Sequence, residues 1–202
     1  GTFKTKDFLH AVDIALLAQE ILVGNSSYPT PLIEKNAHDY RQLGLGFTNL
    51  GGLLMSKALA YDSDSARAWA GSITALMSGE AYRLSSVIAS RMGVYAGYEK
   101  NKEPQLNVIG MHREKVKEIN SKFLDDKKLY SAASEVWNDA FSAAKKYGVR
   151  NSQVTVIAPT GTIALMMDCT CTGVEPLFAP VVYKQLVGGG YMKLVADTVP
   201  AA

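Results

Sequence analysis

One long segment limits what this chain can fold into more than any other. Residues 64–92 follow Asp62 and Ser63, either of which can cap a helix, and they end at Gly93, which stops one. Apolar side chains cover most of the circumference of this predicted helix: Trp69, Ile73, Leu76, Met77, Tyr82, Leu84, Val87 and Ile88. A helix that is apolar on most sides has to be packed on several sides. We therefore expect a globular core around it, with Gly71 and Gly79 allowing close approach of other helices.

The periodicity of apolar residues predicts further elements around this helix. Amphipathic helices are expected at residues 6–23, 107–119 and 126–147, an apolar helix at residues 49–59 and an extended loop at residues 25–31. Short strands are expected at residues 41–47, 153–158 and 179–187, the first two of them buried. After Arg150 the sequence changes from long helical periodicity to short strand-like segments and turns. We therefore divide the chain into a helical part, about 1–148, and a strand and loop part, about 149–202.

Composition and charge exclude several classes of protein. Of the 202 residues, 48% are hydrophobic and 20% are charged, which is ordinary for a globular domain. The formal net charge is only +2, from 21 basic and 19 acidic residues. Such a balance gives no electrostatic signal for nucleic acid or for an anionic membrane, and no apolar run reaches the ~18 residues of a membrane span. Neither a nucleic acid nor a membrane is expected as a partner.

The cysteine pattern points to a reducing compartment. The chain has two cysteines, Cys169 and Cys171, too few for a disulfide-stabilised secreted scaffold. The pair also falls short of a zinc site without further ligands, and the three histidines are widely scattered. We expect a cytoplasmic protein and predict no metal-binding residues.

The segment most informative about function is residues 151–167, NSQVTVIAPTGTIALMM. A short strand there runs into Pro-Thr-Gly-Thr, and an apolar helix can follow. Free backbone N–H groups at a helix start favour a phosphate, Gly161 lets a ligand approach the backbone, and Thr160 and Thr162 add hydroxyl donors. The same pattern also fits an ordinary strand-to-helix turn capped by threonine. A Walker A loop is excluded because no Gly-Lys-Ser/Thr follows.

Several segments in a fixed order carry a family resemblance. They are AQEILVGNSSYPTP (18–31), LGLGFTNLGGLLM (43–55), AYDSDSARAWAGSITALMSGEAY (60–82), GYEKN (97–101), HRE (112–114), RNSQVTVIAPTGTI (150–163), TGVEP (172–176) and KQLVGGG (184–190). In these segments the chain resembles adenosylcobalamin (vitamin B12)-dependent, class II ribonucleotide reductase. The resemblance extends over almost the whole length.

The resemblance implies a fold and a reaction. The fold is α/β: a C-terminal-half portion of the ten-stranded catalytic barrel, mostly helical with a few short buried strands. The family reduces ribonucleotides to 2′-deoxyribonucleotides for DNA synthesis, using a thiyl radical generated by adenosylcobalamin. Implied partners are the ribonucleotide substrate, an external thiol reductant such as thioredoxin and the remainder of the catalytic domain; a homodimer is an assembly that the family allows. The family's substrate-phosphate loop corresponds to Ala158, Pro159, Thr160, Gly161, Thr162 and Ile163.

Departures from the family pattern limit which roles carry over. The finger-loop motif, of the Asn-x-Cys-x-Glu kind, does not occur in this chain, and the family's redox cysteines lie upstream of the region that matches. Cys169 and Cys171 receive no radical or redox role, and no catalytic residue is predicted. Cys171, Leu177 and Pro180 differ from the residues usual in the family. The chain alone is expected to be an inactive fragment.

Two alternative functions stay open at this point. One is a non-catalytic phosphate-binding or assembly module. The other is a fragment of a class I reductase large subunit.

Overall fold

The computed structural model describes residues 2–197, and within them the chain is mostly helical with two short strands. The α-helices are α1 Thr5–Asn25, α2 Pro31–Tyr40, α3 Leu50–Ser56, α4 Asp64–Met92, α5 Tyr98–Val116, α6 Lys127–Tyr147 and α7 Gly161–Met166. A 3₁₀ turn spans Ser121–Phe123, and the strands are β1 Val181–Gln185 and β2 Tyr191–Val195. No helix in the described residues is long and apolar enough to cross a membrane.

The chain divides into two compact units. The first comprises the described residues up to Leu45 together with Ala68–Val156, and the second comprises Gly46–Arg67 together with the residues from Ile157 onward. The first unit holds most of the helices and the two fully buried tryptophans, Trp69 and Trp137. The second unit holds α3, α7 and both strands.

Helix α4 and helix α6 form the centre of the first unit, as their apolar patterns predict. Helix α6 buries Leu129, Ala133, Val136, Trp137, Ala140 and Ala144 at three- and four-residue spacing. It begins where the Asp126 side chain accepts a hydrogen bond from the Leu129 N–H, and it ends at Gly148, whose φ is +71°. Gly79 on α4 lies against Val136 and Trp137, where a Cβ atom would come within 2.7 Å of the valine side chain. The predicted close approach is therefore confirmed at this glycine.

Two helices differ from the sequence prediction. Helix α2 was not expected, although Thr30 accepts a hydrogen bond from the Ile33 N–H and Pro31 occupies the first turn. Both features are helix-start signals, since proline's fixed φ suits that position. Helix α5 begins at Tyr98, nine residues before its predicted start, and contains Pro104. Buried Tyr98 and Ile109 hold this helix in the core on both sides of the proline, which offsets the missing backbone hydrogen bond.

Neither residues 41–47 nor residues 153–158 form a regular strand, although the two segments do pair. They meet in one isolated parallel bridge between Leu45 and Thr155. The Leu45 N–H donates to the Val154 carbonyl at 3.0 Å, whereas the Leu43 N–H donates to the Gln153 carbonyl at 2.9 Å. Two residues along one segment thus correspond to one residue along the other, so the register slips and no ladder extends.

The third predicted strand is present and has an unpredicted partner. Strand β1 lies inside residues 179–187 and pairs antiparallel with β2, Val181 opposite Val195 and Gln185 opposite Tyr191. The connecting turn uses Gly189 and Gly190 at φ +89° and +84°. Both strands are mostly exposed, whereas the resemblance implies short buried strands. Within residues 2–197 the sheet has two strands, which leaves most of its side chains uncovered.

Candidate functional site

The predicted phosphate loop, residues 158–163, is an exposed turn that leads into α7. Ala158, Pro159, Gly161, Thr162 and Ile163 are exposed, and Thr160 is half-buried. Thr160 is the residue before the first turn of α7, and its carbonyl accepts from the Ala164 N–H at 2.8 Å. The short helix is held by Ala164, whose side chain is fully buried. The loop therefore presents its polar groups to solvent on a fixed support.

Thr160 itself is committed to hydrogen bonds within the second unit. Its N–H donates to the Thr172 carbonyl at 2.9 Å, and its hydroxyl donates to the Thr48 hydroxyl at 2.8 Å. These bonds leave Thr160 without a free proton for a ligand, contrary to the expected donor role of its hydroxyl.

The following three residues leave their N–H groups free. Within residues 2–197, the N–H groups of Gly161, Thr162 and Ile163 have no hydrogen-bond acceptor, as is usual in the first turn of a helix. A Cβ atom built on Gly161 would have no atom within 4 Å, so nothing in the described residues blocks approach to this backbone. Three adjacent donors and the Thr162 hydroxyl can together hydrogen-bond a tetrahedral oxyanion.

Two other segments of the second unit support the loop. The Thr48 hydroxyl donates to the Cys171 carbonyl at 3.2 Å, and the Asn49 side-chain oxygen accepts from the Cys171 N–H at 3.0 Å. The Leu50 N–H donates to the Gly173 carbonyl at 3.4 Å. Neither Thr48 nor Asn49 was assigned a role from the sequence. The available signal was a polar pair placed directly before the glycine-rich start of a helix.

Comparison with known proteins assigns the family. The sequence model "Ribonucleotide reductase, barrel domain" matches residues 1–202. The chain belongs to this family. A protein of Rhodopirellula baltica named vitamin B12-dependent ribonucleotide reductase is 49% identical over 201 residues, which are 98% of this chain and 19% of that protein. A protein of Streptomyces coelicolor with the same name is 45% identical over 202 residues, which are all of this chain and 21% of that protein.

A more distant relative carries a different name. The ribonucleoside-diphosphate reductase subunit alpha of Chlamydia pneumoniae is 27% identical over 184 residues, 89% of this chain and 17% of that protein. The chain spans about a fifth of the length of the relatives from Rhodopirellula and Streptomyces. The predicted resemblance to ribonucleotide reductases is confirmed, and the two higher identities are to relatives named for vitamin B12.

The two thiols of this reductase domain lie in the loop after α7. Burial raises the pKa of Cys171, and the negative charge of Glu175 adds to the rise, while a hydrogen bond from the Gly52 backbone partly opposes it. Burial also raises the pKa of Cys169, with a contribution from the Asp168 carboxylate. Both thiols are free and stay protonated at neutral pH, so neither is an activated nucleophile. A Cβ atom on Gly51 would lie 2.6 Å from the Cys171 sulfur, which shows that this thiol fills a packing position.

Proposed function

We propose that the chain is part of the catalytic barrel of a vitamin B12-dependent ribonucleotide reductase, which converts ribonucleotides to 2′-deoxyribonucleotides. The observation that carries the proposal is 40–49% identity over nearly all of the chain to reductases named for vitamin B12, against 27% to a relative named as a subunit alpha. The identity of only 27% makes a class I reductase fragment a weaker alternative than a vitamin B12-dependent one. The same proposal includes a ten-stranded barrel, an external thiol reductant, a cytoplasmic location and a homodimer. It also includes the division of the chain into residues 1–148 and 149–202.

Adenosylcobalamin would supply the radical that starts the reaction in the whole enzyme. We assign none of the residues of this chain to that cofactor. Among residues 2–197, no three His, Cys, Asp or Glu side chains come together as a site that could hold a metal ion. Both thiols are also protonated at neutral pH, as their raised pKa values require. The proposed contribution of this chain is therefore to substrate binding.

The residues 158–163 are proposed to hold the substrate phosphates. The free N–H groups of Gly161, Thr162 and Ile163 donate to phosphate oxygens, and the open space at Gly161 allows the close approach that these bonds need. Phosphate binding fixes the position of the ribose relative to the radical, so the loop acts on the rate through orientation. Its hydrogen bonds are remote from the reacting carbon, so their loss is expected to affect KM more than kcat.

The alternative of a non-catalytic phosphate-binding module uses the same loop. It requires only that the loop binds phosphate, without any reaction at the ribose. The two proposals differ in whether the chain can replace its counterpart in an active reductase.

A chimeric reductase tests the function. The 201 matching residues of the Rhodopirellula protein are replaced by this chain, and deoxyribonucleotide formation is measured with adenosylcobalamin and a dithiol. Turnover that requires the cofactor supports the reductase proposal. A folded chimera that binds ribonucleotide but gives no turnover supports the non-catalytic module instead.

A pair of glycine variants tests the loop within the chimera. Gly161→Val places a branched side chain where the phosphate would approach, and loss of two charge-assisted hydrogen bonds would weaken binding by roughly 3–6 kcal/mol. Gly188→Val is the matched control, because a Cβ atom on Gly188 also has nothing within 4 Å. We expect a raised KM for Gly161→Val alone. Equal KM values for the two variants would show that the phosphates bind elsewhere.

A further inference from the structure

We propose that Thr48 is a positioning residue for the phosphate loop, acting through Thr160; this inference rests on the proposed function. Thr48 lies before α3 and Thr160 lies before α7, 112 positions apart in sequence. The Thr160 hydroxyl donates to the Thr48 hydroxyl at 2.8 Å, and the Thr48 hydroxyl donates to the Cys171 carbonyl at 3.2 Å. Thr160 is thus tied to the 171–173 segment through Thr48, in addition to its own N–H bond to Thr172.

The direction of this chain of hydrogen bonds follows from the chemistry of its members. A carbonyl oxygen can only accept, so Thr48 must use its single hydroxyl proton at Cys171. Thr48 then has only lone pairs left for Thr160, and Thr160 must donate its own proton to Thr48. Thr160 is therefore a structural threonine, and the ligand donors are left to Gly161, Thr162 and Ile163.

The position of Thr160 determines where those donors point. Thr160 precedes Gly161 directly, and its backbone leads into the first turn of α7. Its N–H bond to Thr172 and its hydroxyl bond to Thr48 fix the residue at two separate atoms. With the hydroxyl bond removed, the Thr160 N–H bond to Thr172 is the one within residues 2–197 that still ties Thr160 to the 171–173 segment, since its carbonyl bonds only within α7. The first turn would then lose the fixed orientation that phosphate binding requires.

The support for Thr48 does not depend on its hydroxyl. Asn49 and Leu50 hold Cys171 and Gly173 through their own hydrogen bonds, so the 171–173 segment stays in place when the hydroxyl of Thr48 is removed. Thr48→Val preserves the branched shape and removes the hydroxyl, and Thr48→Ser preserves the hydroxyl and removes a methyl group. Both variants are therefore expected to fold.

The test uses the 202-residue protein, labelled with ¹⁵N, and two readouts in the wild type and both variants. The first readout is the dissociation constant of inorganic pyrophosphate, followed through the amide signals of residues 161–163. The second readout is the hydrogen-exchange rate of the Thr160 amide without ligand. We expect Thr48→Val to weaken pyrophosphate binding about 3- to 10-fold, the effect of one neutral hydrogen bond, and to speed Thr160 exchange by a similar factor. Thr48→Ser should stay within about two-fold of the wild type in both readouts.

The two readouts separate this inference from the proposed function. If the Thr160 amide exchanges in Thr48→Val at the wild-type rate, the positioning role is overturned, whether or not pyrophosphate binds. Faster exchange together with unchanged pyrophosphate affinity also overturns it, because the movement of Thr160 would then not reach the donors. If pyrophosphate leaves the signals of 161–163 unmoved in the wild type, the phosphate role of the loop is wrong, and Thr160 exchange still decides whether Thr48 positions the loop.

Discussion

Replacement of Asp13 by asparagine should stabilise the chain at neutral pH and leave its stability unchanged at acid pH. Asp13 on α1 lies near Glu80 and Arg83 of α4, and the Arg83 Nη2 atom is 3.7 Å from its carboxylate. Glu80 is buried and binds the Arg83 guanidinium through both carboxylate oxygens. One Asp13 oxygen is buried and has no hydrogen-bond partner among residues 2–197. Two carboxylates thus share one arginine.

This environment raises the pKa of Asp13 to about 6. Burial is the main cause, followed by a hydrogen bond to Glu80 and by the negative charge of that residue; Arg83 and His10 oppose the shift. The folded chain therefore binds more protons than the unfolded chain between about pH 4 and pH 6, and the stability contributed by protonated Asp13 is lost as the pH rises through this range. Above about pH 6 the Asp13 carboxylate is ionised in the folded chain, where its charge is poorly compensated.

The size of the effect follows from the shift. A rise of about two pKa units corresponds to about 3 kcal/mol, and 35% exposure of the side chain reduces this through solvent screening to about 1–2 kcal/mol. The asparagine side chain cannot ionise and resembles protonated aspartic acid in shape. Asp13→Asn should therefore match the wild type near pH 4 and exceed its free energy of unfolding by about 1–2 kcal/mol at about pH 8.

Urea unfolding at about pH 4, 6 and 8, followed by circular dichroism, measures this difference. Asp7→Asn is the control, since Asp7 is an exposed carboxylate on the same helix. A stability difference for Asp13→Asn that is the same at all three pH values would refute the reasoning. The reasoning would also be refuted if Asp7→Asn showed the same pH-dependent gain in unfolding free energy.

Two further predictions concern the core of the first unit. Glu20→Ala should lower the free energy of unfolding by about 3–5 kcal/mol in urea titrations. Its carboxylate accepts from the guanidinium groups of Arg41 and Arg150 at 2.7 and 2.8 Å, and the variant would leave the buried Arg41 charge and the half-buried Arg150 charge without a carboxylate. Gly79→Ala should lower the melting temperature because its methyl group would press into the side chains of α6, whereas Gly71→Ala should raise it, since the nearest atom is at 3.4 Å and alanine favours a helix. The same sign for both glycine variants would contradict the packing argument.

The long helices were predictable because their signals are local. Apolar spacing and terminal residues lie within each segment, so α4 and α6 follow from periodicity, Asp126 and Gly148. Helix α2 was also signalled locally, by Thr30 and Pro31, but these residues resemble a loop when read with the proline before them. The irregular pairing of residues 43–45 with 153–156 was beyond prediction, because the register depends on contacts between distant segments.

The candidate site shows the same division between local and distant signals. The loop 158–163 could be proposed as an anion site from the sequence, since glycine, threonine and the helix start are adjacent in it. Its support by Thr48 could not, because hydroxyl contacts between residues 112 positions apart leave no mark in either segment. The buried contact of Glu20 with Asn151, across 131 positions, was missed for the same reason.

Gly161 differs from the glycines that the fold requires. Gly148 needs its positive φ to end α6, and Gly79 needs the absence of a Cβ atom beside Val136. Gly161 has neither requirement, because its φ lies outside the left-handed region and a Cβ atom would meet nothing within 4 Å. Alanine at this position would favour the first turn of α7. The proposed approach of a phosphate to the backbone would account for a glycine that the fold does not need. Gly161→Ala should therefore leave the melting temperature unchanged or raise it while weakening pyrophosphate binding, and a lower melting temperature would assign the glycine to the fold instead.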